Sequence, residues 1–336
     1  MKLEPGKVNV WVFGPGVGEF VVVHVPPDGW LSIDGCSADA ALWPLSFFAH
    51  HKVAPTHILM TPPHTDHARG VQALIDHFTS GIAPWPRLGL LVPPRRAALR
   101  GASQAAFESK LANGVLNAVK TRWRRQPASR WEPIAGGIEP LGSGAVRVLS
   151  PERAVVMRRG KHFDWNRAAT ALAIEWQGQR VVLGADLVEN TGKAWTAVLK
   201  RYPIVRQHLV LKVAHHGSFE AQHGQLLARL PGEAQVTLVT TPFASQNLPR
   251  FTKGEGAELL LMHSQRLLLT GLPQAFETQN KKPRQWSRSR LTHLKRPIAA
   301  DEPVGAFPSN YVQLVVDASG KLKTHWGPGT VIVHRG

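Results

Sequence analysis

Thr61-Pro62-Pro63-His64-Thr65-Asp66-His67-Ala68-Arg69-Gly70 lies between two segments of different periodicity. Before it, His57-Ile58-Leu59-Met60 is a short apolar run that reads as a buried strand. After it, Val71, Leu74, Ile75 and Phe78 recur at i, i+3, i+4 and i+7, which predicts a helix over residues 71–78. Two histidines and an aspartate therefore occupy a turn between a buried strand and a helix. Such a turn can aim several side chains at one spot, and imidazole with carboxylate is a donor set suited to zinc or manganese.

Other apolar runs end in the same kind of residue. Strands are expected over 8–13, 20–25 and 30–34, the last closing on Asp34-Gly35. A hairpin is expected over 136–149, then a strand over 169–176. Gln177-Gly178-Gln179 turns the chain into a strand that ends Gly184-Ala185-Asp186. Leu209-Val210-Leu211-Lys212-Val213 leads into Ala214-His215-His216-Gly217-Ser218. Helices are expected over 37–50, 102–123 and 254–263, strands over 88–92, 236–240 and 266–270, and a terminal hairpin over 311–326. Gly14-Pro15-Gly16-Val17-Gly18-Glu19 is a glycine-rich turn. It is not read as a phosphate loop, because no Lys-Ser/Thr follows and no helix opens there.

These stretches together resemble the metallo-β-lactamase-fold hydrolases. The turn at 61–70 is similar to the family's His-x-His-x-Asp-His signature, with Pro62 where the first histidine stands. The strand ending in Asp186 resembles the one whose aspartate bridges two metals, and Asp34 matches an aspartate that supports the metal loop. Leu-Lys-Val-Ala-His-His-Gly-Ser resembles the competence-type branch, the hydrolase domains attached to bacterial DNA-uptake channels, as does Asn166 before its strand. The resemblance spans most of residues 8–245. It implies an α/β fold, a four-layer αββα sandwich, with basic insertions at about 95–131, 151–167 and 281–296 in one domain over 1–336.

The resemblance also implies a ligand set. His64, Asp66, His67, Asp186 and His215 are the expected metal ligands, for zinc or manganese. Asp66 and His216 are the expected catalytic groups, and His216 and Ser218 are candidates for contacting a substrate phosphate. The order of the two adjoining histidines stays open. Pro62 has no donor atom, so one metal position keeps only His64 and a share of Asp186, with His162 as a conceivable replacement. The other keeps four ligands. One well-formed site and a weak or absent second follow.

Charge points to the partner. The chain of 336 residues carries 40 Lys+Arg against 23 Asp+Glu, a formal net charge of +17, and 43% hydrophobic residues support a sizeable core. Arg122, Arg124, Arg125, Arg158, Arg159, Lys161, Lys281, Lys282 and Arg284 are the expected nucleic-acid contacts. Trp123 and Trp131 interleave with the first of these runs, either stacking bases or packing on the core. The run from 281 reads as a loop. A single cysteine, Cys36, favours a cytoplasmic setting, and no segment approaches the roughly 20 apolar residues a membrane span needs.

Two functions fit. One is a metal-dependent phosphodiesterase or nuclease acting on DNA or RNA through a metal-activated water. The other is a catalytically degenerate relative that binds nucleic acid or a protein partner, which Pro62 favours. Hydrolysis of a small ester or lactam fits the charge less well.

Overall fold

The computed structural model describes residues 1–14, 18–36, 43–62, 64–81, 84–91, 103–157, 165–189, 193–229, 235–251, 254–264, 266–271, 294–295 and 310–334. The strands of the first part of the chain are β1 (Val8–Phe13), β2 (Phe20–Val25), β3 (Gly29–Asp34), β4 (His57–Met60), β5 (Arg87–Leu90) and β6 (Arg130–Trp131). Next come β7 (Ile138–Leu141), β8 (Gly144–Val148), β9 (Leu172–Trp176), β10 (Gln179–Leu183), β11 (Val210–Lys212), β12 (Thr237–Thr240) and β13 (Arg266–Leu269). β14 (Leu294–Lys295), β15 (Tyr311–Val316), β16 (Leu322–Trp326) and β17 (Val331–His334) follow among the described residues. The helices are α1 (Trp43–His51), α2 (Thr65–Ala68), α3 (Val71–Phe78), α4 (Ser103–Arg125), α5 (Arg153–Val156), α6 (Trp195–Arg201), α7 (Gly224–Leu227) and α8 (Gly256–His263).

Two sheets form, ordered β16-β15-β1-β2-β3-β4-β5-β6 and β14-β17-β13-β12-β11-β10-β9-β8-β7. Alternation along each strand explains how they stack. Val8, Val10 and Val12 of β1 join Val146, Ile174, Val181, Val210 and Val239 in a core between the sheets. Trp11 and Phe13 point the other way, into a second core with Phe47, Leu74, Ile75, Val115 and Val119 of α1, α3 and α4. Val182, Leu211 and Leu238 likewise face Trp195, Leu227 and Leu260 of α6, α7 and α8. The layers run helix, sheet, sheet, helix, the αββα sandwich that the sequence leads one to expect. Strands buried on both faces read as continuous apolar runs, which is why their burial shows so plainly in the sequence.

The parallel strands position the site. β3, β4, β5 and β6 run parallel in the first sheet, and β10, β11, β12 and β13 in the second. Chain leaving the carboxyl ends of such strands forms a natural crevice. Asp34, Thr61, Asp186, His216 and Thr241 all stand at or just beyond those ends.

The ends of the two halves cross over. β7 and β8 follow the first sheet in the chain but extend the second, β8 pairing with β9. β15 and β16 follow the second sheet's central strands but return to the first, Val316 opposite Val8. The expected terminal hairpin is therefore an edge of the first sheet. β17, a short Val-Ile-Val run after Gly327-Pro328-Gly329, is not among the expected strands; it pairs with β13. Leu294–Lys295 is a strand pairing with β17, not the loop expected there. The rest of 281–296 lies outside the described residues, as do 37–42 of the first expected helix. Among the described residues, no helix is long and apolar enough to cross a membrane.

Candidate metal centre

The turn after β4 is held from below by Asp34. The Thr61 backbone N–H and hydroxyl each donate to the Asp34 carboxylate at 2.6 Å. His67 Nδ1–H donates to the same carboxylate at 2.7 Å. Asp34 takes φ 57°, and Gly35 N–H then donates to the His67 carbonyl at 2.8 Å. A Cβ on Gly35 would stand 2.5 Å from the Arg69 carbonyl oxygen, so glycine is required for this approach. The single turn α2 starts at Thr65, with Ala68 N–H donating to the His64 carbonyl at 2.8 Å. Pro62 is buried in the turn. Glu19, just before β2, buttresses this loop: its backbone N–H donates to the Asp66 carbonyl at 3.0 Å.

Asp66, His67, Asp186 and His216 each offer a ligand atom, and these atoms all lie within 4.8 Å of one another. His67 Nε2 is 3.0 Å from Asp186 Oδ2 and 3.5 Å from Asp66 Oδ2. His216 Nε2 is 3.0 Å from Asp66 Oδ2 and 3.9 Å from Asp186 Oδ1. The outer nitrogen of each ring is already committed. His67 Nδ1 faces Asp34, and His216 Nδ1 faces the Thr241 carbonyl at 3.1 Å and its hydroxyl at 2.9 Å. Both Nδ1 atoms are donors to oxygen, which is how histidines that bind metal are normally held. Both Nε2 atoms then meet carboxylates, an arrangement that calls for a cation between them. His67 Nε2 and Asp186 Oδ1 are buried without a hydrogen-bond partner. The donor set fits a divalent ion with nitrogen and oxygen ligands.

Protons compete for that position. Burial opposes charge on His67, yet Asp186, Asp66 and Asp34 together hold its pKa well above the usual value. Burial likewise opposes ionised Asp66, but His67 and the His216 hydrogen bond bring it down to about 2. Asp186 is also held well below the carboxylate range, by His67 and His64 against the cost of burial. The raised His67 stabilises the metal-free fold fully below its unfolded pKa of about 6.5. That stability is lost as pH rises through the folded value. The depressed aspartates act in the opposite sense, stabilising above about pH 4 and losing that as pH falls through their folded values. Melts of chelator-treated protein should therefore show the midpoint falling as pH climbs above neutrality, whereas zinc-treated protein keeps it. A metal-free midpoint that is flat from pH 6 to 9 would contradict this electrostatic picture.

The remaining expected residues fall into distinct places. His64 Nδ1 lies 3.5 Å from Asp186 Oδ2 at the exposed rim of the cluster. The sequence reading put His215 among the ligands with His216 beside it; the structure brings His216 into the cluster. His215 Nδ1 meets Ser218 Oγ at 3.0 Å, and its Nε2 lies 3.4 Å from Asn166 Nδ2. The cause is local: His215 at φ 45° and His216 at φ 53° are consecutive left-handed residues that turn the second ring inward. His215 and Ser218 open onto a cavity of about 370 Å³, also lined by Phe219, Gln246 and Arg250. Burial lowers the His215 pKa, so the ring there is neutral.

Arg122 ties α4 to α3, donating to Asp76 at 2.6 Å and to Thr79 Oγ1 at 3.1 Å. Arg124 and Arg125 are exposed. Trp123 donates to the Leu88 carbonyl at 3.1 Å, and Trp131 is buried between the sheets, so both pack rather than offer open faces. Arg158, Arg159, Lys161, His162, Lys281, Lys282 and Arg284 lie outside the described residues. Glu19, Lys212 and Thr241 gather at the site without having been singled out. An acid, a lysine and a threonine in apolar runs were the available signal.

No protein-family model matches this sequence, and no curated protein matches it. Among solved structures, the chain is similar to metallo-β-lactamase SMB-1 bound to 2-mercaptoethanesulfonate, at 16% identity over 63% of this chain and 78% of that one, TM-score 0.36. It is similar also to the B3 metallo-β-lactamase BLEG-1, at 14% identity over 59% of this chain and 86% of that one, TM-score 0.34. A diphosphatase from the PhnP family aligns at 10% identity over 62% of this chain and 73% of that one, TM-score 0.33. Likenesses this distant carry nothing about chemistry. The layer order and the cluster above stand on this chain's own residues.

Proposed function

We propose that the chain is a metal-dependent phosphodiesterase acting on nucleic acid, of the competence-type branch, with one divalent ion held by Asp66, His67, Asp186 and His216. The observation that carries this is the pair of buried histidines. Each spends Nδ1 as a donor and turns Nε2 toward a carboxylate. A divalent ion in that position supplies an acidified water and Lewis-acid polarisation of a phosphoryl oxygen. The chain's own residues supply orientation. Asp66 and His64 stand at the open side of the cluster, and the neutral His215, braced by Ser218, borders the adjoining cavity. In that position the His215 ring walls the space beside the cluster in which a phosphate group would lie, with Ser218 and Asn166 fixing its orientation. The cavity volume is within the range of small-ligand sites.

The +17 charge grips the polyphosphate backbone. Replacing exposed Arg124 and Arg125 by Ala is expected to weaken nucleic-acid binding about tenfold at low salt and to flatten the salt slope by about one to two. Filter-binding or anisotropy titrations at stepped salt check this; an affinity indifferent to ionic strength overturns the electrostatic reading.

A second reading rests on Pro62, which offers no ligand where a two-metal centre needs one. On it the chain is catalytically degenerate and binds nucleic acid or a protein partner without cleaving. Metal analysis after dialysis, with DNA and RNA cleavage assays in zinc and in manganese, decides. Cleavage that needs the metal supports the enzyme, nucleic-acid binding without cleavage supports the binder, and no bound metal with no cleavage of DNA or RNA sinks the enzyme.

A further inference from the structure

Lys212, at the end of β11, and Glu19, just before β2, are each about 1% exposed and ion-paired across the two sheets. Burying two charges is costly, and an apolar pair of similar volume is often equally or more stable. The other bonds of this pair lead to the cluster. Lys212 Nζ donates to the Ala185 carbonyl at 3.3 Å, and Ala185, at φ 45°, carries Asp186 as the next residue. Glu19 Oε2 accepts the Thr241 hydroxyl at 3.1 Å. That hydroxyl has one proton and gives it to Glu19. It must therefore meet His216 Nδ1 as an acceptor, as the Thr241 carbonyl also does.

We infer that Glu19 and Lys212 are a positioning pair for the metal centre: a lysine that can only donate and a carboxylate that only accepts set the direction of every hydrogen bond from Lys212 to His216, so that His216 keeps a proton on Nδ1 and turns Nε2 into the cluster, and Asp186 is held at its place. The same Glu19 fixes a third cluster residue, because its backbone N–H donates to the Asp66 carbonyl. Glu19, Asp34 and His67 also bring ligand atoms within 4.8 Å of one another. There the Lys212 ammonium takes the Glu19 carboxylate, and this group serves as the base of the centre rather than as a second ion site. The inference rests on reading the four-residue cluster as a metal centre.

The test compares Thr241→Val, Thr241→Ser and the double variant Glu19→Leu/Lys212→Met with the unaltered chain. Zinc affinity is read by competition with a chromophoric chelator, geometry by the visible spectrum of the cobalt-loaded protein, and folding by thermal melts. Thr241→Val removes one hydroxyl and keeps the shape. It should bind zinc about 10–100-fold more weakly with an altered cobalt spectrum and a melting point within a few degrees of the original. Thr241→Ser should restore both affinity and spectrum. The double variant should hold its melting point while losing affinity to the same degree, which a purely structural pair would not do. If it does not fold, the two threonine variants decide alone. Unaltered affinity and spectrum in Thr241→Val overturn the positioning role while leaving the metal centre standing. Failure of the unaltered chain to bind zinc overturns the metal centre itself.

Discussion

Asp34→Ala is expected to lower folding stability by about 3–5 kcal/mol, the range seen when one partner of a buried charged pair is removed. Three buried donors lose their acceptor at once: the Thr61 N–H, the Thr61 hydroxyl and His67 Nδ1–H. Each stranded group carries a desolvation penalty of about 1–3 kcal/mol, and the pocket is too enclosed for water to replace the carboxylate freely. For a chain of this length the midpoint should fall by about 4–7 °C. Asp34→Asn separates folding from metal. Its carbonyl oxygen still accepts from Thr61, so less stability is lost, but its amide turns a donor toward His67. The ring then has to carry its proton on Nε2, the atom that faces Asp186 and Asp66. Zinc affinity should drop about 10–100-fold even where the melting point recovers. Urea melts and chelator competition on the two variants check this, and an Asn variant that binds zinc normally would show that Asp34 supports the fold alone.

Asp186→Ala carries the larger expected effect on chemistry. Asp186 is the hub of the cluster, with His67 at 3.0 Å, His64 at 3.5 Å and His216 at 3.9 Å. Removing it leaves a site with one carboxylate and two histidines facing each other. Stoichiometric metal should no longer survive dialysis, and any metal-dependent cleavage should fall at least about a thousandfold, which corresponds to about 4 kcal/mol of transition-state stabilisation. Asp66→Ala, at the open side, should cost comparably in rate. Unlike Asp186→Ala, it should leave some metal bound, because His67, Asp186 and His216 remain together. Rapid-quench assays and metal analysis on both variants distinguish these outcomes. Cleavage surviving both substitutions would place the chemistry elsewhere on the molecule.

Much of the site could be read from strand endings. A buried strand announces itself by a run of apolar residues, and a polar residue closing such a run has to face either solvent or a shared crevice. Asp34, the 61–70 turn, Asp186 and the His215-His216 pair were all visible in that way. The choice between His215 and His216 was not, because two successive left-handed residues rotate the second ring inward and no spacing rule reports such a kink. Trp123 and Trp131 beside arginines read equally well as stacking platforms or as packing, and only burial separates the two. The Glu19–Lys212 pair joins residues from opposite sheets, and long-range pairing of that kind leaves no local periodicity.

The exchange of edge hairpins between the sheets constrains how anything reaches the cluster. The first half of the chain lends β7 and β8 to the second sheet, and the second half lends β15 and β16 to the first, each by an antiparallel ladder. Asp66 and His67 come from one half, Asp186 and His216 from the other. The two halves are clasped rather than hinged, so they cannot swing apart like jaws without unzipping strand pairs. Access to the cluster is therefore across its rim and not by the parting of the two sheets.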